Sequence, residues 1–252
     1  MIPPLLDSRC APAVAFVLAL VVATAGCSGD GDPMMNPDGG GASTVQAPCP
    51  EGFLPLRPGI KWTYLVKDLT DGNTTTKMTT VGNLEAVDKL PGVMAYRIRT
   101  QKGLELADET VSWQNVTETG VERYQEQSYR PGVAGAAPTP RILEWWSPYK
   151  LRLDTSAEHL ILGARWTVTY TENSLDHETM MMTTRERNDQ WSVEGVNVPL
   201  AVAGKSYSTL VVRRIGTDQG ATSDKKYWFA CGVGKVKETG GQIEELQSVE
   251  GL

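Results

Sequence analysis

The stretch YWFACGVGKVKETGG, Tyr227 to Gly241, decides the fold, because its closely spaced glycines fit either a phosphate-binding loop or a β-hairpin. Tyr227 and Phe229 are two residues apart, so they lie on the same face of a strand. Gly232 and Gly234 allow a bulge or a close approach of two strands. The stretch therefore favours a hairpin in an antiparallel sheet.

The same stretch fails both phosphate-binding motifs. A P-loop reads G-x-x-x-x-G-K-[ST], because an early glycine frees backbone N–H groups and a final hydroxyl binds magnesium. Phe229 stands where the first glycine belongs, and Val236 stands where the hydroxyl belongs. The dinucleotide motif G-x-G-x-x-G fails at Lys237. We therefore predict no nucleotide and no other cofactor.

Apolar residues recur at every second position along much of the chain, which is typical of half-buried strands. In KWTYLVK the even positions Trp62, Tyr64 and Val66 are apolar, and VMAYRIRTQ and RWTVTYT repeat the pattern. Turn signals such as DGN and PGV separate these segments. We predict an all-β fold in which a single curved antiparallel sheet of about ten strands forms a barrel or half-barrel. Little helix is expected, although GQIEELQSVEGL fits either a helix or a closing strand.

The first residues read as an export signal, residues 1–26. Arg9 precedes an apolar run, Ala13 to Ala25, that is shorter than the roughly 20 residues needed to span a bilayer. TAGC, ending at Cys27, resembles the lipobox of bacterial lipoproteins, in which Cys27 is lipidated. Ala23 and Ala25 also form an A-x-A site, so ordinary secretion is the alternative.

The remaining chain divides into a tether and one domain. Residues 27–48 are rich in Gly, Pro and Asp and cannot bury enough apolar surface to fold, which predicts a disordered tether. Residues 49–252 are long enough for one core and form the β-domain. The formal net charge of −6 indicates no nucleic-acid partner, which would call for a basic surface.

The cysteine count favours the lipoprotein hypothesis. Cys10 leaves with the signal, and lipidation of Cys27 leaves Cys49 and Cys231 as an even pair for an oxidising compartment. We predict a disulfide between these two. The predicted location is the bacterial cell envelope. The lipid anchor is predicted to lie in the outer membrane in preference to the inner membrane, and secretion is the alternative.

Candidates for catalysis and metal binding are weak. GKSYS, with Ser206 and Ser208, misses the final glycine of the G-x-S-x-G elbow and lies between strands. His159 and His177 are the two histidines, and neither belongs to a ligand motif. We therefore predict no catalytic and no metal-binding residues, and a protein that is not an enzyme.

Aromatic residues on the inward strand faces are the remaining candidates for a site. Trp62, Tyr64, Trp166 and Tyr170 would either fill a core or line a cavity for a lipid or another apolar small molecule.

Two segments, LPLRPGIKWTYLV and YWFACGVGKVKETGGQIEEL, resemble the first and last signatures of a group of bacterial lipoproteins common in myxobacteria. VNVPLAVAGKSYSTLVVRR resembles the group's middle signature, with extra residues after Pro199. The resemblance implies a curved sheet of the type seen in LolA-like periplasmic proteins and in a second family of periplasmic domains of unknown function. It carries over no catalytic residue.

Three hypotheses about function follow from the sequence. The first is a non-enzymatic lipoprotein, held on a membrane by its lipid, that binds an apolar ligand or an envelope partner. The second is a structural or interaction module with a filled core, and the third is a hydrolase. The sequence does not decide the oligomeric state.

Overall fold

The computed structural model describes residues 43–103, 107–132, 137–218 and 221–252. Within these residues the chain forms twelve strands and one 3₁₀ turn, Ala157–His159. The strands are β1 (Lys61–Asp68), β2 (Thr74–Ala86), β3 (Met94–Lys102), β4 (Asp108–Val116), β5 (Gly120–Arg130), β6 (Thr139–Asp154), β7 (Arg165–Asp176), β8 (Met182–Val202), β9 (Lys205–Asp218), β10 (Ala221–Ala230), β11 (Gly234–Thr239) and β12 (Gln242–Glu250). No helix in the described parts is long and apolar enough to cross a membrane.

Each strand pairs antiparallel with the next along the chain, and β12 pairs with β1 to close the sheet. This confirms the predicted all-β antiparallel barrel, and closure decides between barrel and half-barrel. The described residues hold two strands more than the predicted ten or so. One is β6, which was not recognised because Pro140 and Pro148 interrupt its alternation. The segment Gln242–Glu250, ambiguous in sequence, is a strand.

The stretch Tyr227 to Gly241 forms a hairpin, as predicted. β10 pairs with β11 through a tight turn, and Gly232 and Gly234 adopt positive φ of 71° and 106°. The Trp62 indole N–H donates to the Val233 carbonyl at 2.6 Å. A Cβ on Gly234 would lie 3.0 Å from the indole nitrogen of Trp62. The second glycine is therefore required both by its φ and by the side chain that β1 packs against it.

The core of the barrel begins on β1. Trp62, Tyr64 and Val66 are buried inside, as the alternation predicts. Phe53 and Leu56, which precede β1, pack into the same cluster and cover that end of the barrel. A smaller apolar cluster lies on the other face of the sheet, where residues 87–93 of the β2–β3 connection cover β3 and β4. Its buried members are Val87, Ala95, Val111 and Trp113.

The segment before β1 is held against the barrel by several contacts. Val45 forms a β-bridge with Ile161, and the Gln46 side-chain amide donates to Asn197 Oδ1 at 3.0 Å. Of the predicted tether only residues 43–48 are described. The predicted signal and the lipidation site Cys27 lie outside the described residues.

Cys49 and Cys231 are joined by a disulfide bond that spans 182 residues of sequence. It ties the segment before β1 to the β10–β11 turn, beside the backbone hydrogen bond from Gly232 N–H to the Gly52 carbonyl at 2.9 Å. The covering segment is therefore fixed to the barrel by a covalent bond.

We expect the double substitution Cys49→Ser, Cys231→Ser to lower the free energy of unfolding by about 4–5 kcal/mol, because the unfolded chain regains the entropy of a long closed loop. Guanidinium denaturation of the oxidised wild type and the double variant measures the difference. Intact mass after alkylation under non-reducing conditions is the control. Two alkylated thiols in the untreated wild type would contradict the bond.

Candidate functional site

The interior of the barrel has an apolar half and a polar half. The apolar half lies at the end covered by Phe53 and Leu56, and its side chains pack closely. Its most buried members include Ile60, Leu153, Leu210, Val212, Val236 and Leu246. In the polar half the side chains leave a cavity of about 460 Å³. A barrel of this strand number is wide enough to enclose such a space.

Charged side chains dominate the lining of this cavity. Seven basic residues and four acidic residues of the described chain face it. The basic residues are Lys77, Arg123, Lys150, Arg152, Arg214, Lys225 and Lys235, and the acidic residues are Glu126, Glu144, Glu238 and Glu244. Thr100, Thr110, Ser112 and Tyr227 supply hydroxyl groups. Arg214 is paired with the buried Asp189 behind the lining, and the other six basic residues still outnumber the four acidic ones.

One side of the cavity is a balanced ionic network. Lys235 Nζ contacts Glu238 and lies 2.6 Å from Glu244 Oε2, and Lys77 Nζ lies 2.7 Å from Glu244 Oε1. Burial alone would lower the pKa of Lys235, but the carboxylates of Glu238 and Glu244 outweigh it and raise that pKa. Burial would likewise raise the pKa of Glu244, yet Lys235 and Lys77 keep it low. These four groups neutralise one another and join β2, β11 and β12.

Arg152 is the exception to this balance. The pairing of β5 with β6 shifts between Val121 and Glu122, whose partners are Leu153 and Leu151, so Arg152 is the extra residue of a β-bulge. Its side chain lines the cavity, and its Nε is buried without a hydrogen-bond partner. No carboxylate in the described chain forms an ion pair with it. Burial, with a further contribution from Arg123, lowers its pKa to about 10.

Arg123 offers a second open donor next to Arg152. Its Nη1 lies 2.5 Å from Glu126 Oε2, and its guanidinium sits over the Trp146 ring at 5.9 Å from the centroid. Its Nε is buried and has no hydrogen-bond partner. Two guanidinium groups therefore line the same cavity, each with a buried Nε that has no hydrogen-bond partner among the described residues. Guanidinium forks match the geometry of carboxylate and phosphate, so this pair is suited to an anion.

Two carboxylates face each other across β5 and β6. Glu126 is the cross-strand partner of Glu144. Burial, followed by repulsion from Glu126, raises the pKa of Glu144 to about 7. Lys150 and Arg123 oppose the shift, and Glu172 adds to it. Near neutral pH Glu144 therefore exchanges a proton, and its neutral form increases the positive charge of the cavity.

The four aromatic candidates do not surround one cavity. Three are buried, and their polar atoms are used within the fold. Trp62 donates to the Val233 carbonyl, Tyr64 OH donates to the Lys235 carbonyl at 3.0 Å, and Tyr170 OH donates to Asp189 Oδ2 at 3.1 Å. Trp166 is half-buried and stacks on His159 with ring centroids 3.9 Å apart. None of the four lines the polar cavity.

Trp62 and Tyr64 instead line a smaller recess of about 100 Å³. Leu54, Leu56 and Phe229 form further apolar walls of this recess. The space beside Trp62 and Tyr64 is therefore small, and it adjoins the charged cavity. Trp166 lines a separate pocket of about 340 Å³ together with Trp191 and Val193.

The residues considered for hydrolysis are also separated by their contacts. His159 Nδ1 lies 2.9 Å from Asp154 Oδ2 and 3.1 Å from Ser156 Oγ, while Ser156 donates to Asp154 at 2.6 Å. A triad requires the two ring nitrogens of the histidine to contact the acid and the serine separately. One nitrogen meets both here, which is a loop-stabilising arrangement. His177 instead contacts Gln127, and Ser206 and Ser208 are exposed on β9.

The cavity residues were not singled out from the sequence. Lys235 entered only as the lysine before Val236 in the failed P-loop motif. Arg152 did not enter the sequence analysis. One signal was present: LRLD, Leu151 to Asp154, places a single arginine between two leucines that are both buried. A charge inside an apolar run marks a side chain that needs a special environment.

No protein-family model and no curated protein matches the sequence. Two solved structures are similar. One, from Bacteroides fragilis, is described as an exported protein with a YmcC-like fold, with a TM-score of 0.47, 9% identity, and coverage of 79% of this chain and 99% of that chain. The other, from Parabacteroides distasonis, is described as a lipoprotein, with a TM-score of 0.39, 11% identity, and coverage of 79% and 98%. At these scores the neighbours carry no argument about a site.

We expect Glu144→Gln to stabilise the barrel above neutral pH and to have no effect below pH 4.5. The pKa of Glu144 is raised on folding, so the wild type loses stability as pH rises from the unfolded value of 4.5 through about 7. The gain at high pH is on the order of 2 kcal/mol, since one pKa unit is worth about 1.4 kcal/mol and the group is not fully buried. Denaturant titrations across this range measure it, and Glu186→Gln, on an exposed part of β8, is the control. An equal gain at both ends of the range would contradict the assignment.

Proposed function

We propose that the protein is an exported, lipid-anchored binding protein, not an enzyme, whose barrel holds a small anionic ligand. The signal-like residues 1–26 and the lipobox-like TAGC support export and anchoring. The excess of basic side chains around the 460 Å³ cavity supports an anion as the ligand. A cavity of this size lies within the range of small-molecule sites.

The observation that carries the proposal is the guanidinium of Arg152, which lines the cavity and forms no ion pair within the described residues. A buried cation without a partner destabilises a fold, because it loses hydration and gains no ion pair. The lowered pKa of Arg152 has the same physical cause, because burial disfavours the charged guanidinium. Uncompensated groups that persist in a fold are concentrated at functional sites. An anion bound beside Arg152 and Arg123 would supply a negative charge and accept hydrogen bonds from their guanidinium groups.

The same charges argue against a long acyl chain in this part of the barrel. An apolar chain among these lysines and arginines would strip water from them without replacing its hydrogen bonds. The proposed ligand is therefore polar at the cavity, which differs from the apolar ligand inferred from the aromatic residues. A purely structural role would agree with the packed apolar half, but it gives Arg152 no partner.

We expect Arg152→Gln to raise the free energy of unfolding by about 1–3 kcal/mol, because it removes a half-buried charge that has no ion pair among the described residues. The same variant should lose stabilisation by anions. In the wild type an anion at ten times its Kd should raise Tm by about 3–6 °C. Thermal unfolding in phosphate, sulfate and citrate, compared with chloride at matched ionic strength, measures both effects.

Arg165→Gln is the matched control, because Arg165 is exposed on β7 and does not line the cavity. It should retain the anion response of the wild type. Equal responses of wild type and Arg152→Gln to every anion would refute the anion site and favour the filled structural module.

Anchoring is tested separately. We expect Cys27→Ala to abolish incorporation of radiolabelled palmitate and to move the protein from the membrane to the soluble fraction, because the sulfur of Cys27 is the proposed lipid attachment. Cys10→Ala, within the proposed signal, is the control and should remain labelled. A membrane-bound, labelled Cys27→Ala protein would contradict the lipobox interpretation.

A further inference from the structure

The charged cavity and the small apolar recess are continuous. Five residues line both spaces: Lys77, Thr100, Arg123, Arg152 and Lys235. Arg123 and Arg152 therefore stand at the junction between the two spaces. Apart from Thr79 and Gln114, the remaining lining of the recess is apolar or aromatic: Leu54, Leu56, Trp62, Tyr64, Ile98 and Phe229. A molecule bound there would meet guanidinium groups at one end and hydrocarbon walls at the other.

The recess is short. Its volume of about 100 Å³ holds roughly three or four groups of methylene size, taking about 30 Å³ for a water-sized group. Leu54 and Leu56 form one wall of the recess, and they belong to the segment that covers the barrel end. The Cys49–Cys231 disulfide fastens that segment. A longer chain would have to displace a covalently held cover.

We infer that the ligand is a short amphiphilic anion, with its carboxylate or phosphate at Arg123 and Arg152 and an apolar part of about three or four carbons in the recess. This inference rests on the proposed anion-binding function and narrows it. It joins the polar lining to the apolar residues Trp62 and Tyr64, which otherwise contribute only to the core. It excludes an intact membrane lipid, whose acyl chains exceed the recess several-fold.

The experiment is a chain-length series. Straight-chain carboxylates from acetate to octanoate, and the matching alkyl phosphates, are titrated by calorimetry into the purified protein held in lipid nanodiscs, with empty nanodiscs as the blank. We expect affinity to rise about fourfold for each added carbon, from about 0.8 kcal/mol per buried methylene, and to fall once the recess is full. The maximum should lie near butanoate or pentanoate. The stronger of the two matched series identifies the acid group.

Two variants that fill the recess locate the effect. Ile98→Phe and Leu56→Phe should each remove the dependence on chain length while leaving acetate and inorganic phosphate bound as in the wild type. Two positions are used because either enlarged side chain could disturb folding. Arg152→Gln should weaken every member of the series by the same factor, because it contacts the shared acid group.

The outcomes separate the two levels of the proposal. Binding of acetate and phosphate with no optimum in chain length, or with affinity still rising at octanoate, would overturn the short amphiphile and leave the anion site standing. An absence of heat with every anion would overturn both.

Discussion

Closure of the sheet by the pairing of β1 with β12 is the constraint on which the rest of the structure depends. A closed sheet has no free edge and fixes which face of every strand points inward. Along these two strands Tyr64 pairs with Leu246 in the apolar half of the barrel. Two residues further on, Val66 pairs with Glu244 in the charged half. The same two strands therefore build both environments within a few residues.

The two halves differ in how they are stabilised. The apolar half is packed by side chains and covered by the segment that the disulfide fastens. The charged half relies on mutual compensation, as in the network of Lys77, Lys235, Glu238 and Glu244. Buried ion pairs of this kind contribute little net stability, because desolvation offsets their attraction. The stability of the barrel therefore comes mainly from the apolar half, which is consistent with the ligand site proposed for the other half.

Much of the fold could be predicted from the sequence, because apolar and polar residues alternate along an antiparallel strand that has one buried face. β1 and β7 show this alternation, and the glycine spacing of Tyr227 to Gly241 predicts the hairpin. β6 could not be found this way, because prolines and bulges interrupt its pattern. The segment Gln242–Glu250 was ambiguous because its three apolar residues, spaced three apart, could share one face of a helix, while a short closing strand was equally allowed.

The site was less predictable than the fold for a physical reason. Which side chains face one another across a barrel depends on register, and a bulge changes register without any clear mark in the bulged strand. Arg152 reaches the cavity because the partner strand β5 skips it, which only the pairing reveals. The aromatic residues were conspicuous in the sequence, yet most of them fill the core. The charged residues that line the cavity were scattered over seven strands.

Arg152 and Glu144 lie in the same cavity but differ in the charge that surrounds them. Arg152 lacks a negative partner, while Glu144 has a carboxylate for its neighbour and a pKa near 7. Arg152 and Glu144 do not compensate each other, because no ion pair forms between them in the described chain. Both groups lie on β6, on either side of its interruption at Pro148, so local geometry keeps them apart. A ligand carboxylate or phosphate in the cavity would pair with Arg152, and its negative charge would favour the neutral form of Glu144, as Glu126 already does.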